Sequence, residues 1–277
     1  MDTEQIQNIL LRALNCAHAK YLELGTAGLE EVQKNQFGET ALRMDIEAEA
    51  AVINSFRADN FPVRVISEEH GTVDIGTPQY LAVLDGIDGT ALYRKDYEHG
   101  KYGTMLAIFS NTNPTYLDYI CTGISQHAAT RTLVATKDLG VTVWEAAEHH
   151  PVHVAAHSDL SKSTKIYIDE YWETNRNTFS IPLSGYNTNY YQCSAMYYAD
   201  IAEGIADFAL ECTRKGNLEI AVSYGLVREA GGVTMDLAGT DIGPNNYLEF
   251  GQTEHVPIIT ATSAQLAEQM RNIVQHK

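Results

Sequence analysis

The chain has 277 residues, of which 44% are hydrophobic and 20% are charged, as in a globular protein and not a disordered one. Its 36 acidic residues outnumber its 19 lysines and arginines, which gives a formal net charge of −17. Because this acidic chain has no long basic run, we expect no broad nucleic-acid-binding face and no nucleic-acid partner.

The N-terminal segment and the cysteines bear on where the protein works. The early acidic residues in MDTEQIQ differ from the basic start of a signal peptide, and no apolar stretch approaches roughly eighteen residues. We therefore expect no secretion signal and no membrane partner. The four cysteines lie far apart without a CxxC pair, which argues against a zinc knuckle or a disulfide framework. Together these features predict a cytoplasmic protein.

The first part of the chain predicts two helices and then a series of strands. Apolar residues at three- and four-residue steps predict an amphipathic helix over 6–17 and a second helix over 44–60. The predicted strands cover 61–71, 79–90, 102–110, 116–126 and 129–145. The last three are separated by turn residues, which indicates an antiparallel meander.

A proline and a polar stretch near 145–160 predict a junction between two halves, 1–150 and 151–277. Strands and helices alternate in the second half, which predicts an α/β arrangement. Its predicted strands cover 164–170, 207–211, 233–237 and 256–263, and its predicted helices cover 194–206, 218–232 and 264–275.

Acidic residues gather where two predicted strands end. The segment LDGIDGT carries Asp85 and Asp88, and an Asp-Gly pair by itself is a common turn. The preceding strand runs into Glu68 and Glu69, so three or four carboxylates converge at one edge of a sheet. Their repulsion is severe without a divalent cation. Mg²⁺ suits such oxygen ligands, and Mn²⁺ can substitute for it.

The residues that follow, Gly89 and Thr90, add a feature that suits phosphate. The sequence DGT at the corner after a strand can point consecutive backbone N–H groups at one spot, which forms a small anion nest. A threonine hydroxyl at the same corner can orient or deprotonate a water molecule. The sequence therefore predicts that a metal ion and a phosphate group meet here.

Motifs along the whole chain resemble those of the inositol monophosphatase family. LDGIDGT resembles the family's Asp-Pro-Ile-Asp-Gly-Thr, SEEHG its Gly-Glu-Glu segment, and LEIAVSYGLVREAGG its C-terminal signature. Asp45 and Glu49 fit the place of its early Asp-x-x-x-Glu. The resemblance implies a layered αβαβα sandwich of the inositol monophosphatase and fructose-bisphosphatase type, at the border of the α+β and α/β classes.

The resemblance also implies an activity and a set of site residues. It implies a homodimeric, metal-dependent phosphatase that hydrolyses a small phosphomonoester by direct attack of a metal-activated water. The substrate class includes inositol phosphates, sugar phosphates and nucleotide phosphates. The implied metal ligands are Glu68, Asp85, the backbone carbonyl of Ile87, Asp88 and Glu219. The implied catalytic residues are Thr90, Asp45 and Glu68, and the implied substrate contacts are Gly89, Thr90, Ser194 and Glu211.

Three positions depart from the family pattern. Gly86 stands in place of proline, Leu218 in place of tryptophan and Glu219 in place of aspartate. Gly86 lacks the fixed φ of proline, and Glu219 has one more methylene between backbone and carboxylate. An alternative function follows, a catalytically weakened member that binds phosphate or metal as a regulatory or structural protein. A calcium-binding loop is set aside because DGIDGTALYRKD lacks the EF-hand spacing.

Two other groups of residues have simpler explanations. The segment EHHPVHVAAH gathers four histidines that suggest a transition-metal site, but their alternation with apolar residues favours an exposed strand face. Basic residues such as Arg94 and Arg214 are interpreted as solvated. The alternative is that those beside GIDGT or shortly before Glu219 meet a substrate phosphate.

Overall fold

The computed structural model of the protein describes residues 1–34, 40–145, 148–157, 159–214 and 216–276. The helices are α1 (Thr3–Leu24), α2 (Arg43–Ala58), α3 (Thr90–Lys95), α4 (Glu173–Asn175), α5 (Ser194–Ala202), α6 (Leu218–Glu229) and α7 (Ala264–Gln275). The strands of the first half are β1 (Glu31–Lys34), β2 (Thr40–Leu42), β3 (Val63–Ser67), β4 (Gly71–Asp74), β5 (Tyr80–Asp88), β6 (Gly103–Phe109), β7 (Tyr119–Gln126), β8 (Arg131–Thr136), β9 (Gly140–Glu145) and β10 (Glu148–Val152). Those of the second half are β11 (Ile166–Ile168), β12 (Thr188–Asn189), β13 (Phe208–Cys212), β14 (Val233–Asp236) and β15 (Pro257–Ala261).

Two large sheets organise the molecule. The first has eight strands in the order β10-β9-β8-β7-β6-β5-β3-β4, and the second has five in the order β12-β11-β13-β15-β14. From β5 to β10 each strand pairs antiparallel with the next, which confirms the predicted meander. Strands β3 and β5 are parallel, so their C-terminal ends meet at the same edge.

The buried residues define five layers. One hydrophobic core lies between α1, α2 and one face of the first sheet. A second core joins the other face of that sheet to α5, α6 and the inner face of the second sheet. A third packs the outer face of the second sheet against α7. This αβαβα order confirms the predicted fold class, because each sheet has apolar residues on both faces and needs a cover on each.

The predicted helices agree well with the structure because their apolar spacing is regular. In α1 the predicted stripe is buried, and Asp2 caps the helix by accepting the Gln5 N–H at 2.8 Å. The predicted helix 264–275 coincides with α7, which Ser263 caps. None of the helices that the structure describes is long and apolar enough to span a membrane.

The structure corrects one predicted strand. The run 129–145 is not one strand, since Gly140 follows a tight turn and β8 and β9 pair as a hairpin. Residues 148–152 form edge strand β10, which agrees with the predicted strand face, and Pro151 is tolerated there because an edge strand has unpaired N–H groups. His149 and His150 are exposed on β10, as predicted. The division at residue 150 stays a prediction, and the first sheet ends at Val152.

Candidate active site

Asp85 and Asp88 point into one cavity because β5 is irregular at its end. In a regular strand, side chains three positions apart face opposite sides of the sheet. Here Asp85 pairs with Met105 of β6 and Asp88 with Gly103, so β5 contains an extra residue, as in a β-bulge. The bulge returns Asp88 to the face of Asp85, and both residues line a cavity of about 860 Å³.

The two aspartates meet Glu219, which lies in the first turn of α6. One ligand oxygen from each of Asp85, Asp88 and Glu219 lies within 4.8 Å of the other two. Within the described part of the chain, this is the one group of acidic, histidine or cysteine side chains close enough together to hold a metal ion. The four histidines of residues 149–157 therefore do not form the transition-metal site that their spacing suggested.

Burial and mutual repulsion shift the two aspartates toward their protonated forms. Loss of water contact raises the pKa of the Asp85 carboxyl well above its usual range and that of Asp88 to about 7. Nearby carboxylates add to the shift, since Glu68 and Asp88 act on Asp85, and Glu219 acts on Asp88. A cluster of this kind is stabilised by protons or by a cation.

Glu68 is placed by a turn that a buried carboxylate organises. The fully buried side chain of Glu49 on α2 accepts the backbone N–H groups of Glu68, Glu69 and His70 at 3.0 to 3.1 Å. Nδ1 of His70 lies 2.9 Å from the same carboxylate, and this hydrogen bond raises the pKa of His70. Because β3 ends beside β5, the turn brings Glu68 to the wall of the cavity that holds Asp85.

Thr90 connects the end of β5 to α2. Its hydroxyl lies 2.9 Å from the carbonyl oxygen of Ile87 and 3.4 Å from Oδ1 of Asp45. Asp45 also accepts the N–H of Leu42 at 2.6 Å. Burial raises the pKa of Asp45 to about 7, although the Leu42 hydrogen bond opposes the shift. Thr90, Ile87 and Asp45 thus form one hydrogen-bonded group at the cavity wall.

Two glycines permit close packing around this group. Gly89 has a φ of 90°, and a Cβ there would lie 2.9 Å from Sγ of Cys193 and 3.0 Å from Cβ of Tyr102. A Cβ on Gly86 would lie 2.3 Å from the backbone carbonyl oxygen of Asp45. Gly86, which replaces the family's proline, therefore lets α2 approach the metal-binding loop more closely than a larger residue allows.

The surroundings of Arg214 differ from those predicted from the sequence. Its side chain is 25% exposed, and it forms an ion pair with Glu219 and lies 3.7 Å from Oδ2 of Asp169. Its guanidinium carbon also lies 5.3 Å from the ring centre of Trp172, a cation–π distance. The interpretation of Arg214 as a solvated residue is wrong, because three carboxyl-bearing or aromatic neighbours enclose it. Arg94, in contrast, lies on the cavity rim, 40% exposed and paired with Glu31.

Ser194 and Glu211 occupy different depths. Ser194 begins α5 and lines the cavity, next to Cys193, whose thiol lies 3.3 Å from Oδ2 of Asp88. The Ala195 N–H also donates to Asp88, so Asp88 caps α5. The Glu211 side chain is buried and accepts a hydrogen bond from the Tyr198 hydroxyl. Glu211 is not among the described residues that line the cavity.

Several cavity residues were not predicted from the sequence. Asp169 and Trp172 follow β11, and Tyr190, Gln192 and His255 also line the cavity. Asp169 could have been predicted as a site residue, because it directly follows the apolar strand β11, much as Asp85 follows the apolar part of β5. The others follow no strand end or motif, so their proximity depends on loops that only the folded chain brings together.

Comparison with family models identifies a family, and comparison with solved structures supports the fold. The family model described as the inositol monophosphatase family matches residues 4–275. Comparison with curated protein sequences gives no match. Among solved structures, the extragenic suppressor protein suhB from Bartonella henselae is similar, with 16% identity, 98% of each chain covered and a TM-score of 0.79.

Two further structures show the same likeness. The inositol monophosphatase from Anabaena (Nostoc) sp. PCC 7120 is 19% identical, with 99% of this chain and 96% of that chain covered and a TM-score of 0.74. The Thermotoga maritima IMPase is 18% identical, with 97% of this chain and 96% of that chain covered and a TM-score of 0.74. At these identities the structural likeness establishes the fold.

Proposed function

This chain belongs to the inositol monophosphatase family, and from that membership and the site geometry we propose that it is a metal-dependent phosphatase of small phosphomonoesters. The observation that carries the proposal is the cluster of Asp85, Asp88 and Glu219, whose oxygens lie within 4.8 Å of one another. The cluster lines a cavity of about 860 Å³, which is large enough for a small phosphorylated molecule.

The donor atoms suit a hard divalent cation. The residues that would hold Mg²⁺, or Mn²⁺ in its place, are Glu68, Asp85, the carbonyl of Ile87, Asp88 and Glu219. Burial raises the pKa of Asp85 and Asp88, so a cation here takes the place of protons. A divalent ion supplies two things when bound, a lower pKa for a water molecule and neutralisation of phosphate oxygens.

Thr90 would orient the attacking water, and Asp45 would take up its proton. The Thr90 hydroxyl is held by the Ile87 carbonyl and by Asp45, so its oxygen is fixed at the cavity wall. Asp45, with its pKa raised to about 7, is suited to hold a proton near neutral pH. Glu68 lines the same cavity and would orient the same water. This water would attack phosphorus directly, without a phospho-enzyme, so that the P–O ester bond breaks and the alcohol leaves after taking up a proton while inorganic phosphate is released.

The substrate would be an inositol phosphate, a sugar phosphate or a nucleotide phosphate. Gly89 and Thr90 would bind its phosphate through backbone N–H groups, and Ser194 would contact the remainder. Glu211 does not line the cavity and would act on the substrate indirectly, through its electrostatic interaction with Arg214, which does. We also propose that the protein works in the cytoplasm as a homodimer, with no nucleic-acid or membrane partner.

One observation favours the alternative, a weakened member that binds phosphate or metal without turnover. Glu219 is already paired with Arg214, so this carboxylate is not free to serve a metal alone. The Gly86 and Leu218 substitutions at the same site point in the same direction. Turnover separates the two functions, because a binding protein has the site and lacks the reaction.

The test is release of phosphate from a panel of phosphomonoesters with and without Mg²⁺. We expect Mg²⁺-dependent release from at least one of them. Replacing Thr90 by valine keeps the shape and removes the hydroxyl, so the rate should fall by roughly 10²- to 10⁴-fold, whereas Thr90→Ser should keep most of it. Phosphate binding without release from any substrate would favour the alternative function.

A further inference from the structure

Hydrogen bonds hold the backbone at Arg214 and at the described residues that follow it. The Arg214 N–H donates to Oδ1 of Asn217 at 2.6 Å, and Nδ2 of Asn217 donates to the carbonyl of Phe250 at 3.1 Å. The N–H of Gly216 donates to Oε1 of Gln252 at 2.9 Å. The loop that carries Arg214 is therefore anchored to the segment 250–252, and the side chain enters the cavity from a fixed position.

The side chain has acidic partners on two elements. The guanidinium pairs with Glu219 on α6 and lies 3.7 Å from Asp169, which follows β11. It also lies over the ring of Trp172 at 5.3 Å. A guanidinium is charged at every physiological pH, so the side chain brings a permanent positive charge to these carboxylates.

We propose that Arg214 is a built-in cation of the site, which holds the Glu219 carboxylate and takes the place of one divalent ion beside Asp85 and Asp88. Three acidic groups within 4.8 Å require positive charge, and the guanidinium supplies it without leaving the protein. Arg214 is therefore a positioning residue, which sets how many divalent ions the cluster binds. The inference rests on the proposed function in one respect, that the cluster binds a divalent ion.

The experiment counts bound Mn²⁺ in the absence of substrate, by calorimetric titration and by the electron paramagnetic resonance signal of free Mn²⁺. The variants are Arg214→Ala and, as a matched control, Arg94→Ala, which removes the same charge at the rim of the same cavity. We expect Arg214→Ala to bind one more ion than the unmodified protein, or the same number with a Kd at least about tenfold lower. Arg94→Ala should match the unmodified protein.

Two further variants locate the effect. Arg214→Lys keeps a cation at the position, so its ion count should equal that of the unmodified protein even if the alanine variant is poorly folded. In the double variant Arg214→Ala with Glu219→Gln, the gained ion should be lost, because its carboxylate is gone. Circular dichroism of each metal-free variant verifies that the fold is intact.

Several results would overturn the inference. Unchanged or weaker Mn²⁺ binding in Arg214→Ala would mean that the arginine does not take the place of an ion. The inference also fails if Arg94→Ala gains as much Mn²⁺ binding, or if the gain persists when Glu219→Gln is added. Either result would mean that the loss of one positive charge near the cavity is enough to strengthen Mn²⁺ binding. If neither the unmodified protein nor Arg214→Ala binds Mn²⁺, the proposed function and the inference both fail. If only Arg214→Ala binds it, the inference stands and the metal dependence of the unmodified protein does not.

Discussion

The two walls of the cavity are built by different physical means. The N-terminal wall, which consists of Glu68, Asp85, Asp88 and Thr90, is positioned by backbone features, the bulge in β5 and the turn that Glu49 caps. The C-terminal wall consists of Asp169, Trp172, Arg214 and Glu219, and its side chains are positioned largely by one another.

This difference indicates which wall tolerates change. Backbone hydrogen bonds persist when a carboxylate is neutralised, so we expect the N-terminal wall to keep its shape when its charges are altered. A partly buried ion pair depends on both partners, because removing one leaves the other without compensation. The C-terminal wall should therefore rearrange when Arg214 or Glu219 is changed.

Neutralising Asp88 should have the largest effect. Asp88→Asn keeps the size of the side chain and removes a charge at the centre of the acidic cluster, so phosphatase activity should fall to the uncatalysed level at any Mg²⁺ concentration. The fold should remain, as judged by circular dichroism. Asp74→Asn, on the exposed edge strand β4, is the matched control and should keep full activity. Near-normal turnover of Asp88→Asn at saturating Mg²⁺ would refute the assigned role.

The stability of the metal-free protein should depend on pH in a direction that follows from the raised pKa values. Burial raises the pKa of Asp45 and Asp88 from 3.8 to about 7, so each stabilises the fold below pH 3.8, and this stabilisation is lost as the pH rises through 7. The loss is of the order of 4 kcal/mol for each carboxyl.

Urea unfolding with a chelator between pH 4 and pH 8 measures this loss. Asp88→Asn should match the unmodified protein near pH 4 and become more stable than it as the pH rises, by up to about 4 kcal/mol. Mg²⁺ should restore most of the stability of the unmodified protein at pH 8. If the free energy of unfolding depends on pH in the same way for both proteins, Asp88 does not have a raised pKa in the folded state.

Removing the carboxylate that caps the 68–70 turn should have a smaller effect. In Glu49→Gln an amide NH₂ group faces backbone N–H donors, so the turn loosens and Glu68 is less well placed. Metal affinity, measured by Mn²⁺ titration, should fall by about 10- to 100-fold. Glu47→Gln is the control, because residues two apart on α2 face different directions. Equal losses in both variants would contradict a specific role for Glu49.

Adding one methyl group at Gly86 should have the smallest effect. A Cβ there would lie 2.3 Å from the Asp45 carbonyl oxygen, so Gly86→Ala must displace α2 from the loop and should lower the free energy of unfolding by about 1–3 kcal/mol. Gly86→Pro, which restores the family pattern, should be worse. Gly185→Ala is the control, since no described atom lies within 4 Å of the position that its methyl group would take, and it should be neutral or slightly stabilising. A Gly86→Ala variant more stable than the unmodified protein would contradict this prediction, because it would mean that α2 moves away from the loop without loss of stability.

Much of the fold and of the N-terminal wall could be predicted from the sequence, because the relevant signals are local. The apolar stripe of α1, the cap and period of α7 and the continuous apolar run of β5 are properties of near neighbours in the chain. The same holds for Glu68 and Asp88, which stand directly at strand ends, and for Asp85, which lies in the last part of β5. The motifs in which they lie also identified the family.

The remainder was decided by the tertiary structure. The bulge that turns Asp88 toward Asp85 depends on pairing with β6, and burial of Arg214 depends on Asp169 and Glu219 reaching it from other elements. In the sequence, Arg214 is a basic residue in a polar loop and looks solvated. Residue types and spacing show which side chains can carry charge. Which of these charges neutralise one another depends on the distances between them, and the packing of α6 between two sheets sets those distances.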